Sequence, residues 1–293
     1  MDFSQMSSED LRNANNTDKW KQALFNSVGF ISYKNVNDSI SSGTGTLIYK
    51  PYNDEGAKAY LITNKHVLPT PEASSAVTFS IHAPWLDGQG KFLNIDVPLY
   101  DDMGEPYNHV KFNSNGMDIA VIDFTEPFIN LDLDKLIDDL PPFEIIATDE
   151  VLKERNLTIG DDVFYIGYPS FFFNSKNATP LLRKGTIATD PKEIYYFNEF
   201  LQQAFMIDKL DGFLIDSHAF GGSSGSLVIS KPELTQMYNG QIVPSLQKAV
   251  PYIIGILTHS YSSLNGSDKF QKLGLGGVIN SKYIIETINQ FDN

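Results

Sequence analysis

The 293 residues are 42% hydrophobic and 20% charged, enough apolar material for a sizeable core and too ordered a composition for a disordered, collagen-like or coiled-coil chain. Cysteine is absent, which excludes a cysteine nucleophile, cysteine-ligated zinc and a disulfide framework. The net charge of −14 repels phosphate backbones, so no nucleic-acid partner is expected; it serves solubility first and also suits basic substrates.

The opening MDFSQMSSEDLRN is polar and acidic, without the basic and apolar regions of a signal peptide. No run reaches the roughly 18 apolar residues of a membrane span. The expectation is a cytoplasmic protein with no membrane span. Asn37, Asn156 and Asn177 begin Asn-x-Ser/Thr sequons, which have no consequence without a secretory signal. Residues 8–27 read as a helix from the partial stripe Leu11, Trp20, Ala23, Leu24 and Val28, interrupted by NANNT.

From Val28 the pattern changes to short strand-like runs divided by Gly, Pro, Asn and Asp: GFISYK, GTGTLIYK, AYLITNK, AVTFSIHA, NIDVPLY and DIAVIDF. The acidic stretch 131–144 ends in Pro141-Pro142 and reads as a crossing between two units. Strands then resume with DDVFYIGYP, LLRKGTIAT, FLIDSH, SGSLVIS, AVPYIIGILTHS and LGGVINS. The segment Tyr195 to Phe205 reads as a short helix or an irregular insertion. The end reads as a helix with Ser281 as N-cap and Ile284, Ile285, Ile288 and Phe291 on one face. The expected fold is all-β, two six-stranded antiparallel β-barrels with short helices at both ends. The expected division is a helical extension 1–27, a first barrel 28–140 and a second barrel with its helix 141–293. A cleft between two such units is a usual place for a site.

Nucleophilic catalysis needs a hydroxyl, a base, a group that orients the base, and backbone donors for an oxyanion. HAFGGSSGSLVIS offers Ser224 as nucleophile, with the amides of Gly222 and Ser224 as an oxyanion hole, and equally resembles a flexible Gly/Ser loop. His66 follows a short apolar strand and is the candidate base, or else a surface-loop histidine. Asp118 precedes another apolar strand and is the candidate orienting acid, or else a turn residue. Its competitor Asp123 lies inside the strand, where it would face solvent. The order His, Asp, Ser is that of the chymotrypsin-type triad. His66 and Asp118 fall in the first unit and Ser224 in the second, so the three meet only across a cleft.

Several segments together resemble the trypsin-like, chymotrypsin-fold serine peptidases, and most their bacterial HtrA-like and glutamyl-endopeptidase-like branches. Gly43 to Ile48 resembles the strand before the histidine, and Thr63-Asn64-Lys65-His66-Val67 the histidine box. Asp118 to Ile122 is similar to the aspartate box. Gly160-Asp161-Asp162-Val163 and Gly167-Tyr168-Pro169 resemble the entry to the second barrel, and Gly222 to Ser226 the serine box. Tyr252 to Ile256 resembles the strand lining the substrate cleft. The resemblance spans residues 28 to 290. It implies an endopeptidase acting on protein or peptide substrates through an acyl-enzyme, with no cofactor and no metal. It implies Ser224 as attacking group, His66 as general base and then acid, and Asp118 as holder of the imidazole tautomer. Thr258 falls near the position whose hydroxyl supports the aspartate. Thr258, His259 and Ser260 would pair with substrate backbone as an added strand.

The chain departs from the family in places. Ser223 stands where digestive members carry the aspartate of zymogen activation. His218 lies near the expected base of the primary pocket, or else in a loop outside it, and no aspartate there suggests trypsin's preference for Arg or Lys. Leu257 stands where glutamate-specific members carry histidine. A preference for an apolar or small residue is the resulting expectation. Phe171, Phe172 and Phe173 would form an exposed patch or pack onto the barrel, the second being favoured. Two rival functions are an inactive or latent protease fold used for binding, open to a regulatory protein partner, and an α/β-hydrolase esterase with Ser223 as nucleophile in Gly221-x-Ser223-x-Gly225. The esterase needs an acid and a histidine after the serine, and only Glu233 precedes His259 there. The five histidines form no zinc-binding pair of the H-E-x-x-H kind.

Overall fold

The structure, a computed structural model, describes residues 19–52, 56–83, 91–126, 140–169, 172–174, 176, 179–205, 207–217, 221–233, 235–238, 241–244, 249–265 and 269–292. It begins with helix α1 (Lys19–Ser27), followed by strands β1 (Val28–Lys34), β2 (Ile40–Pro51), β3 (Ala57–Thr63), β4 (Ala76–Ala83), β5 (Lys91–Pro98), β6 (Val110–Phe112) and β7 (Ala120–Asp123). These form one antiparallel sheet in the order β5-β4-β1-β2-β3-β7-β6. The sequence suggested six strands here. The seventh, β6, is only three residues long and carries too little periodicity to be read. Helix α2 (Asp149–Arg155) leads into β8 (Asp162–Gly167), β9 (Leu181–Ile187), β10 (Tyr195–Tyr196), α3 (Glu199–Phe205), β11 (Lys209–Leu210), β12 (Gly212–Asp216), β13 (Leu227–Ser230), β14 (Thr235–Tyr238), β15 (Gln241–Pro244), β16 (Ile253–Asn265) and β17 (Lys269–Asn280). Six of these strands close into an antiparallel barrel, β12-β17-β16-β13-β8-β9. Helix α4 (Lys282–Asn289) follows. The class is all-β, as the sequence indicated.

Strands β3 and β13 read as unbroken apolar runs because both of their faces are buried. In β3, Tyr60 and Ile62 enter one core cluster while Ala59 and Leu61 enter another. In β13, Leu227 and Ile229 face that first cluster and Val228 the barrel interior. The two-residue period of a strand sends neighbours to opposite faces, so two cores per strand demand apolar residues throughout. The first cluster is the seam of the molecule: it joins Leu24, Ile48 and Val121 of the first sheet's side to Tyr168, Ile229 and Ile256 of the barrel.

Helix α4 returns from the barrel to the first sheet. Ile284 and Ile288 are fully buried in the shared seam, each worth about 1.5–3 kcal/mol of apolar burial. Asn113 donates to the Tyr283 carbonyl at 3.2 Å and to Thr287 Oγ1 at 3.0 Å. Ser281 precedes the helix in helical backbone and makes no side-chain cap. Its hydroxyl instead donates to the Ala147 carbonyl at 2.7 Å. Helix α2 was not read from the sequence, although Thr148 caps it by accepting from the Val151 amide, and acids open it and bases close it. The segment 195–205 is a two-residue strand followed by α3. Of the helix expected over 8–27, residues 8–18 lie outside the described residues. Among the described residues no helix is long and apolar enough to cross a membrane.

Candidate active site

β3 runs into a 3-10 turn, Lys65–Val67, that carries His66. Val67 plugs the turn into the sheet over Gly43, where a Cβ would stand 2.5 Å from the valine. Asn64 donates to the Asp118 carbonyl at 2.7 Å, tying this turn to the one before β7. The Asp118 carboxylate then grips His66 with both oxygens. Oδ1 accepts the His66 backbone amide at 2.9 Å, and Oδ2 faces Nδ1 at 2.6 Å. Thr258 Oγ1 donates to the same Oδ2. Burial alone would push the Asp118 carboxyl up, but the hydrogen bond and charge of His66, the Thr258 hydroxyl and the His66 amide hold it below the usual carboxylate range. An ionised carboxylate only accepts, so the proton between the two side chains sits on His66 Nδ1; in the neutral imidazole the lone pair is then on Nε2. Asp123, the competitor, is instead half-buried and accepts from the Thr125 amide and hydroxyl.

The serine loop is built around Thr44 of β2. Its amide donates to the Ser224 carbonyl at 2.9 Å. Its hydroxyl donates to the Gly222 carbonyl at 2.8 Å and accepts the Tyr168 amide at 3.1 Å. Its own carbonyl accepts Thr63 Oγ1 at 2.7 Å. Gly225 has φ +89° and sits so close that a Cβ would lie 1.9 Å from the Thr44 carbonyl oxygen, a place only glycine fits. The Ser223 carbonyl accepts the Ser226 amide at 3.1 Å. In a trans peptide the N–H points opposite the carbonyl, so the Ser224 amide is turned the other way. The amides of Gly222 and Ser224 donate to no acceptor among the described residues. The Ser224 hydroxyl donates to the Thr258 carbonyl at 2.9 Å, and no hydrogen bond among the described residues joins it to His66.

Thr258 and His259 stand at a bulge. β16 pairs Leu257 with Val278 and His259 with Gly277, leaving Thr258 as an extra residue. Adjacent strand residues ordinarily face opposite ways; the bulge re-aims them. Thr258 therefore reaches Asp118 while His259 Nδ1 lies 3.0 Å from Thr258 Oγ1. The His259 ring is 5.7 Å from that of His66. Ser260 follows, exposed, on the same strand. The structure thus brings His66, Asp118, Thr258 and His259 into contact, with the Ser224 loop joined to them through the Thr258 carbonyl. His218 lies outside the described residues, as does Phe171. Phe173 packs against Phe30 and Tyr168, while Phe172 is exposed. The part played by Thr44 escaped the sequence reading; its signal was a polar residue flanked by Gly43 and Gly45 in an otherwise buried strand. Among the described residues, no group of three or more His, Cys, Asp or Glu could hold a metal.

No protein-family model matches this sequence, and no curated protein matches it. Solved structures similar to it include the protease Anisep from Arthrobacter nicotinovorans, at 14% identity and a TM-score of 0.48, covering 92% of this chain and 96% of that one. Another is the Rv3671c protease of M. tuberculosis in its active form, at 15% and 0.48, covering 95% of this chain and 86% of that one. A third is the thermostable serine protease AL20 from an extremophilic microorganism, at 11% and 0.46, covering 92% and 98%.

Proposed function

We propose that this chain is a serine endopeptidase of the trypsin-like type, cutting peptide bonds through an acyl-enzyme with His66, Asp118 and Ser224 as its triad. The observation that carries the reading is the doubly held His66, with both Asp118 oxygens committed to it, beside a serine loop whose Gly222 and Ser224 amides are unspent. The Ser224 proton leaves the Thr258 carbonyl and turns to His66 Nε2. As Oγ attacks the scissile carbonyl carbon, Nε2 takes the proton and the carbonyl electrons move to oxygen, facing the two amides. Collapse of that intermediate breaks the C–N bond, and the imidazolium returns the proton to the leaving amine. Water then repeats the sequence on the ester. Asp118 stays ionised throughout and stabilises the imidazolium.

Residues 258–260 form the stretch of β16 beyond its pairing with β13, which ends at Ile256. An extended substrate would add there as a strand, its N–H replacing Ser224 on the Thr258 carbonyl. That carbonyl is the one on which the Ser224 hydroxyl rests, so substrate would bind directly beside the nucleophile.

A second reading, a latent protease fold that binds rather than cuts, is favoured by the Ser224 hydroxyl resting on Thr258 instead of His66. The esterase alternative fails on the all-β fold and on Ser223, which is 2% exposed and shielded from substrate. The test is labelling by a fluorophosphonate probe in wild type, Ser224→Ala and Ser223→Ala. Loss of label only in Ser224→Ala supports the peptidase. An unlabelled wild type rejects it in favour of the latent fold.

A further inference from the structure

Hydrogen-bond accounting at Thr258 assigns a role to its neighbour. A threonine hydroxyl has one proton. Asp118 is ionised and only accepts, so that proton lies between Thr258 and Asp118. The contact of 3.0 Å between Thr258 Oγ1 and His259 Nδ1 must then run the other way, with Nδ1–H as donor. His259 is thereby fixed in the same tautomer as His66. Both imidazoles point Nδ1–H at one carboxylate, His66 directly and His259 through Thr258.

We propose that His259 is a positioning residue of this active site: its Nδ1–H locks the Thr258 proton onto Asp118, and it must stay neutral for His66 to carry the proton of the reaction. This rests on the serine-peptidase reading above. The ring centres of His66 and His259 are 5.7 Å apart. By Coulomb's law at an effective dielectric constant of about 20, a cation at His259 would oppose an imidazolium at His66 by on the order of a hundredfold in rate. Among the described residues, the titratable groups facing His259 are Asp118 from the turn before β7, His66 from the 3-10 turn, and Tyr261 on its own strand. Behind Tyr261, through Phe197, stands Tyr195 of β10. Burial pushes the His259 pKa down; Asp118 opposes this and the charge of His66 adds to it. Burial thus favours the neutral form of His259, and a proton added there at lower pH shuts the site.

The experiment uses the full chain as wild type, His259→Phe, His259→Asn and His259→Gln. Long-range proton–nitrogen correlation spectra read the His259 tautomer without any turnover. The pH dependence of kcat/KM on an uncharged peptide reads the second proton. An Nδ1–H tautomer is expected, with an acid limb falling as the square of proton concentration in wild type and as its first power in His259→Phe. His259→Phe should lose about three- to tenfold in kcat, the worth of one hydrogen bond, with KM little moved. Asn places its amide N–H where Nδ1–H was, so His259→Asn should restore kcat but keep the single-proton limb; His259→Gln should not restore it. An Nε2–H tautomer overturns the proposal even in a protein that cleaves nothing. So does a His259→Phe variant with unchanged kcat and acid limb. A wild type that neither labels nor cleaves overturns the peptidase reading instead, and the tautomer still decides the His259 to Thr258 contact.

Discussion

Replacing Thr44 by valine tests whether the first sheet holds the serine loop. The shape is conserved, but the hydroxyl that donates to the Gly222 carbonyl and accepts the Tyr168 amide is lost. The stranded amide of the buried Tyr168 costs about 1–3 kcal/mol, and the lost bond to Gly222 about 1 kcal/mol more. The sum, about 2–4 kcal/mol, corresponds to a fall in Tm of roughly 3–7 °C for a chain of this size. Thr44→Ser keeps the hydroxyl and loses one buried methyl, about 1 kcal/mol. Thermal unfolding followed by circular dichroism should rank wild type, Ser and Val in that order, with Val well below Ser. Fluorophosphonate labelling at a temperature where all three are folded should slow most in Val, because Gly222 is released. Equal Tm values for Ser and Val, or a Val variant that labels at the wild-type rate, would refute the reasoning.

Ser224→Ala and His66→Ala should each lose roughly 10⁴-fold or more in peptide hydrolysis while unfolding at the wild-type temperature; full activity in either ends the triad assignment. Gly225→Ala forces a Cβ to within 1.9 Å of the Thr44 carbonyl oxygen at φ +89°, so soluble yield and urea midpoint should both drop, with a loss of about 2–5 kcal/mol in stability from the backbone and the clash together. An Ala variant as stable as wild type would show that the loop relaxes freely. Asp118 has a folded pKa below its unfolded value near 3.9. Its contribution is thus complete above that value and lost as pH falls through the lowered folded pKa. Asp118→Asn should flatten the loss of stability below about pH 4, measured as urea midpoints across pH; an unchanged slope would refute the shift.

The start of β8 was legible where turn chemistry is strong, at Gly160 with its φ of +94°, whereas β2 begins at Ile40, three residues before the run that Gly43 opens. The class followed from short strand-like runs divided by Gly, Pro, Asn and Asp. The relation of the two units was not legible, because a residue such as Ile48 looks the same whether it fills a sheet's own core or the seam between sheets. For the site, His66, Asp118 and Ser224 each stand beside the end or start of an apolar strand, and that made their boxes readable. Thr44 escaped notice because the partners of its hydroxyl are backbone groups 124 to 178 residues away, and nothing local marks them. Ser281 misled for a related reason: its cap-like position in the sequence is real, but its hydroxyl answers to Ala147.

The bulge at Thr258 sets the chemistry of the strand by its length. Leu257 before it and Tyr261 after it both remain buried, so the strand's packing frame survives while one surplus residue is tolerated between them. A change of length, rather than an exchange of side chains, is enough to present a hydroxyl and an imidazole side by side. Deleting one residue would restore the plain pleat and send one of the two to the wrong face.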